Sequence, residues 1–462
     1  MENLRNDGVK HKARIRSRNP LKKRKKKMKK CLMFFFMVGL MISGSLPSFS
    51  GYREKQSIVL RKWIQEALEN NPRLEAAYQR VLSAEKVIPR AGALPDPHFT
   101  LSLSNLPVNS FSFNQEPMTG KVIGIMQMFP FPGKLSLSTD IAEHEAAAKE
   151  YQREEIRNQI IQRVKQAYFD LYAVDRAIET TEKNKALMEQ FVHVAETKYK
   201  TGSGLQQDIL RAQVEISKLE DEFIMWKQKR LSVTARLNAL LNRPVQTRIE
   251  RTSPELMLPE SPEKISSVEE IEQNRPLLKA WHQKIQKAET EVELAKHDVL
   301  PDFTVGASYR QRSDLVDMRQ MTDFFSATLS VNIPLYVNRK QKAKVAEQEL
   351  AFKAIKSQYE DVKINILSEA QRILAELEQN RKRVELYQGG LLIQAQQSLE
   401  SAQAGYRVGK VDFLTLINNW MMLQNYELQY FFALSNVYKS LAEYKQAVGR
   451  DVMQVPESKE SK

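Results

Sequence analysis

Asp208 and Arg211 stand just past one glycine turn, YKTGSGLQQDIL from Tyr199, and Asp412, Thr415 and Asn418 just past another, YRVGKVDFLTLI from Tyr406. Each turn has an aromatic residue, a glycine three positions on (Gly202, Gly409) and an aliphatic pair ten and eleven positions on. A carboxylate placed there has two uses. Copies gathered around one axis would give a ring of acids that favours cations. Within one chain, an acid at the start of a return helix suits the helix dipole. Arg211, one turn after Asp208, can pair with it or with a neighbouring helix. Glycine supplies the positive φ that a tight reversal between helices needs.

No other residues make a stronger site. The six histidines (His11, His98, His144, His193, His282, His297) do not cluster at ligand spacing. Met126, Met128, Met421 and Met422 read as core or strand packing before they read as soft-metal ligands. WMMLQNYELQYFF (Trp420–Phe432) fits helix packing. There is no phosphate-binding glycine loop, catalytic triad or paired-acid motif, so the sequence predicts no enzyme, no cofactor and no resident metal.

The elements around the turns are long helices. A helical pattern runs from about Gln56 to Ile88, and prolines in GALPDPHF end it. Another runs from about Ser138 to Lys200 without Pro or Gly, a length of roughly 90 Å at about 1.5 Å per residue. Within it Ile160, Val164, Ala167, Leu171, Val174 and Ile178 form a heptad seam, which favours packing against a second helix. A return helix follows from about Gln207 to Leu241.

Strands read from period-2 alternation. Phe99, Leu101 and Leu103 oppose Thr100, Ser102 and Ser104, while Val122–Phe129 is apolar on both faces. FPFPG (Phe129–Gly133) then stops pairing, because proline has no amide hydrogen. All of this recurs. Leu74, Ala76 and Ala84 return as Leu278, Ala280 and Ala288, and LPDPHFTL returns as VLPDFTV. Phe303, Val305, Ala307 and Tyr309, then Phe325, Ala327, Leu329, Val331 and Ile333, repeat the alternation. The second seam is Ile366, Ala370, Ile373, Leu377, Asn380 and Val384, each 206 residues after its counterpart (366 − 160). Asn380 either sets helix register or marks a solvated seam end. The offset grows from 204 at the first helix to 207 at the tyrosine turns (406 − 199), as one or two small insertions would produce.

The chain of 462 residues carries +14, which suggests nucleic acid until the charge is located. Residues 1–50 hold 14 Lys+Arg against Glu2 and Asp7, leaving 56 basic and 54 acidic residues in the remainder. A nucleic-acid partner therefore loses its support. LKKRKKKMKK, then CLMFFFMVGLMI, then SGSLPSFSG is the order of a secretory signal, with cleavage after Ser50. The apolar run is short for a span of about 20 residues, although a signal anchor is the alternative. Met28 is a more ordinary start. The lone Cys31 opens the apolar run, so the mature chain has no cysteine. The organisation expected is a leader over 1–50, a first repeat over 51–250, a Pro-rich link over 251–267, a second repeat over 268–450 and a polar tail over 451–462.

Four strands cannot close a barrel alone, and a membrane tolerates no open edge. Three copies give twelve strands, a feasible barrel, with the helices standing as a coiled cylinder beyond it. The mature chain resembles the TolC-type outer-membrane efflux proteins through the duplication, the two tyrosine–glycine turns and the FPFPGK corner. AGALPDP (Ala91–Pro97) and PFPGKL are similar to the CzcC/CusC-like heavy-metal branch.

The resemblance implies a mainly α fold with a β-barrel part: long helical hairpins forming a periplasmic tunnel, and four strands per chain in a trimeric twelve-stranded outer-membrane barrel. It implies a homotrimer in outer-membrane lipid, a periplasmic adaptor (membrane fusion protein) docking at Tyr199, Gly202, Tyr406 and Gly409, and an inner-membrane RND-type pump. The conduit is then passive. Some relatives carry constriction aspartates nine and twelve positions after the second aromatic, where this chain has Thr415 and Asn418. Any charged gate is thus expected from the first turn. The alternatives are export of drugs or other small molecules, or a periplasmic coiled-coil adaptor or scaffold.

Overall fold

The computed structural model describes residues 50–253, 256–262 and 268–450; the signal sequence, Met28, and the polar tail lie outside them. The chain divides into two units, Met1–Glu54 and Lys55–Lys462, and the second holds the sheet and both helical hairpins. The helix expected over Gln56–Ile88 is instead three: α1 (Ser50–Asn70), α2 (Pro72–Glu85) and α3 (Val87–Ala91). Proline is the reason for the first break. Pro72 lacks an amide hydrogen and disfavours helical geometry at the residue before it. Asn71 becomes the cap instead, its Oδ1 accepting from Arg73 N–H at 3.0 Å. Its Nδ2 donates to the Leu240 carbonyl at 3.0 Å, which fastens this corner to the end of a later helix.

The strands are β1 (His98–Ser104), β2 (Gly120–Phe129), β3 (Phe303–Gln311) and β4 (Phe324–Val331), antiparallel in the order β1-β2-β3-β4. The register fixes the faces. Phe99 pairs with Ile125, Ile125 with Ala307 and Ala307 with Ala327. Likewise Leu101 pairs with Ile123, Ile123 with Tyr309 and Tyr309 with Phe325. Cross-strand partners share a face, so these residues make one continuous apolar surface, exposed nearly throughout. Thr100, Ser102, Ser308, Ser326, Thr328 and Ser330 occupy the other. Such a sheet has nothing of its own to cover its apolar side.

Two helical hairpins leave it. The first is α4 (Lys134–Lys200), 67 residues or about 100 Å long, and α5 (Gln206–Leu240). Helices α6 (Val268–Asn274) and α7 (Pro276–His297) lead to β3. The second hairpin is α8 (Gln341–Leu386), a π-helical turn (Tyr387–Leu391), α9 (Leu392–Arg407) and α10 (Phe413–Val448). The π turn, YQGGL, lies between the second seam and the second tip. A wider turn absorbs an extra residue without breaking the helix, and the repeat offset rises from 206 to 207 across this stretch.

All six residues of the first seam are buried, as are Ala370, Ile373, Leu377 and Val384 of the second. Ile366 and Asn380 are half-buried. Asn380 donates to its own helix at the Glu376 carbonyl, 2.9 Å away. No described helix is long and apolar enough to cross a membrane.

Candidate functional site

The two tips end their helices in the same way. Gly202 donates to the Tyr199 carbonyl at 3.0 Å and Ser203 to the Lys198 carbonyl at 2.9 Å. Gly409 donates to the Tyr406 carbonyl at 3.1 Å and Lys410 to the Gly405 carbonyl at 2.9 Å. Both are Schellman turns, with glycine left-handed at φ 72° and 77°. A side chain at either glycine would meet no neighbour within 4 Å, so backbone conformation alone requires it.

Beyond the glycines the tips diverge. Asp412 caps α10, its Oδ1 accepting from Thr415 N–H at 2.8 Å. The Thr415 hydroxyl and amide, with the charge of Arg211, hold its carboxyl below the usual range. The matching cap of α5 is Leu205, whose side chain has no oxygen to offer. Asp208 lies in the first turn of α5 but its carboxylate reaches across to the other hairpin, where Oδ2 accepts from the Tyr406 hydroxyl at 3.2 Å. Burial, then the Asp208 charge and this bond, push the Tyr406 phenol up, so it stays a donor at neutral pH.

The two tyrosines are therefore not equivalent. Tyr199 is 48 % exposed and Tyr406 only 5 %. Tyr406 packs on Phe413, ring centroids 5.3 Å apart, and the Lys198 ammonium lies 4.9 Å from its centroid. Of the two rings only that of Tyr199 is open to solvent. The charge of Arg211 acts on Asp412 of the neighbouring tip. Thr415 serves the cap through its amide and Asn418 is exposed.

A shared core stands behind the tips, from Phe191 and Ala195 through Ala212 and Leu219 to Tyr406, Phe413 and Trp420. Spacing does not reveal its polar centre: the Trp420 indole donates to Asn184 Oδ1 at 2.8 Å, and Asn184 Nδ2 donates to the Thr180 carbonyl at 2.8 Å. Trp420 is visible in the sequence as part of an aromatic stripe; Asn184, 236 residues away, gives no signal. Met421 and Met422 are exposed and do not fill that core, while Met126 packs over Gly306 on the sheet. Among the described residues no group of three His, Cys, Asp or Glu is placed to hold a metal.

The fold matches solved outer-membrane channels. VceC from Vibrio cholerae is 19 % identical, with a TM-score of 0.73 over 88 % of this chain and 100 % of that one. The outer-membrane channel OprN is 14 % identical, with a TM-score of 0.72 over 87 % and 92 %. CusC, whose structures concern folding and transmembrane channel formation, is 18 % identical, with a TM-score of 0.71 over 86 % and 92 %. No curated protein sequence matches the chain significantly. Residues 63–243 and 267–450 match the sequence model of the outer membrane efflux protein family, and the chain belongs to that family of efflux channels.

Proposed function

We propose that three copies of this chain form the outer-membrane conduit of a tripartite efflux system, passing heavy-metal cations delivered by an inner-membrane pump through a periplasmic adaptor. The observation that carries the conduit is the sheet: four strands, one continuous apolar face, and open outer edges on β1 and β4. Twelve strands from three copies turn that face to lipid and the hydroxyl face to a lumen. The hairpins then continue the lumen through the periplasm, with the Tyr199 turn offered to the adaptor. The metal reading rests on the AGALPDP and PFPGKL segments. Deleting the gene is expected to sensitise cells to copper, zinc or cobalt and to leave hydrophobic-drug tolerance unchanged. Sensitivity to drugs alone would overturn the metal reading and favour small-molecule export.

At the constriction, Asp208 contributes charge and, through Tyr406, a link between the two hairpins. Asp208→Ala removes both and Tyr406→Phe removes only the link, a bond to a charged acceptor worth about 1.5–3 kcal/mol. Both variants are expected to conduct more in lipid bilayers, and only Asp208→Ala to lose cation preference. Wild-type conductance in both would show that neither group lies at the constriction.

A further inference from the structure

The inner corner of the sheet is clipped, and its counterpart at the outer edges is open. Lys134 Nζ donates to Asp302 Oδ1 at 2.8 Å and to the Leu300 carbonyl at 3.0 Å. The Phe131 amide donates to the same carboxylate at 2.8 Å, and the Phe131 ring stacks on Phe303 with centroids 6.3 Å apart. These contacts join the chain leaving β2 to the chain entering β3.

The duplication carries both ionic partners to the outer strands. A shift of 206, that of the heptad seams, takes Lys134 to Lys340 (134 + 206) and Asp96 to Asp302 (96 + 206), and the residue type is kept each time. Lys340 follows β4, and Asp96 precedes β1. Those are the two strands with a free edge. Among the described residues neither side chain has a hydrogen bond or ion pair within the protomer, and both are exposed. The apolar half of the corner repeats as well. Ile333, Leu335 and Tyr336 after β4 are exposed, Leu335 to 80 %, and so are Leu94 and Phe99 at β1. Their inner counterpart Phe131 is half-buried against Phe303.

We infer that Lys340 of one copy binds Asp96 of a second copy, and that Leu335 and Tyr336 close over the second copy's Phe99. The bond repeats between protomers the clip that Lys134 and Asp302 make within one. Charge complementarity and the open apolar surface beside it select a second copy as occupant. Pairing Val331 with Leu101 or with Leu103 of that copy keeps Leu329 and Val331 on the face of Phe99, Leu101 and Leu103, since both registers preserve the period of two. The inference rests on the reading of the chain as a closed barrel of several copies.

Asp96→Cys combined with Lys340→Cys, in a Cys31→Ser background, tests it in outer membranes treated with a short bismaleimide linker. The double variant is expected to give a ladder of linked dimers and trimers, and each single-cysteine variant none. Asp96→Lys and Lys340→Asp are each expected to lower the temperature at which the trimer dissociates in detergent, and their combination to restore it. Trimers that neither cross-link nor respond to the charge swap overturn the clip and leave the channel reading intact. Recovery as a soluble monomer overturns both.

Discussion

Glu155→Ala is expected to destabilise the protein by about 3–5 kcal/mol, because it strands a buried arginine. Glu155 and Arg275 are 4 % and 6 % exposed. Glu155 Oε1 accepts from Arg275 Nη2 and from Gln446 Nε2, each at 2.8 Å, and Arg275 Nη1 donates to the Gln446 carbonyl. One oxygen thus ties α4 to the cap of α7 and to the last turn of α10, the places where the two repeats meet. Burial already lowers the Arg275 pKa from its ordinary value, with Glu155 acting in the opposite sense. Without the carboxylate no charge offsets the burial penalty, and the neutral Gln446 carbonyl is left as the arginine's acceptor. Urea unfolding of the detergent-extracted protein measures the effect. Glu155→Ala with Arg275→Ala should cost less than the two single losses added, since no charge is then left alone. A single variant within about 1 kcal/mol of the parent, well under the loss expected for a broken buried pair, would show that the node does not hold the repeats together.

Spacing reveals what is periodic and misses what is singular. The faces of β1, β3 and β4 follow from period-2 alternation, because a strand's two sides are chemically distinct residue by residue, whereas β2, apolar on both sides, takes its faces from its register. The buried seam follows from the 3–4 step of Ile160 through Ile178, because knobs repeat at that interval. The break at Asn71–Pro72 escapes the pattern because the apolar spacing runs through it while the backbone cannot. Glu155 and Arg275 lie 120 residues apart, and no local pattern joins two charges at that distance. The tips are legible as repeats for the same reason that their difference is only half legible. Glycine geometry is local and recurs, whereas the burial of Tyr406 and its bond to Asp208, 198 residues away, depends on how one hairpin packs on the other.

Ile125→Arg is expected to abolish assembly in the outer membrane, whereas Ser326→Arg, on the opposite face of the same sheet, is expected to assemble. Ile125 sits in the row Phe99–Ile125–Ala307–Ala327, at the middle of the apolar face. Arginine on the lipid side of a barrel costs about 2–4 kcal/mol at the midplane. Three copies raise that to about 6–12 kcal/mol, comparable with the whole stability of a typical domain. Ser326 pairs with Ser308 on the hydroxyl face. In a water-filled lumen its arginine keeps its hydration and adds a positive charge from each copy, so cation conductance should fall without loss of trimer. Heat-modifiable migration of outer-membrane extracts reads the first effect, and bilayer conductance reads the second. If both variants assembled equally well, the two faces of the sheet would see the same solvent, and the apolar face would not be the wall that meets lipid.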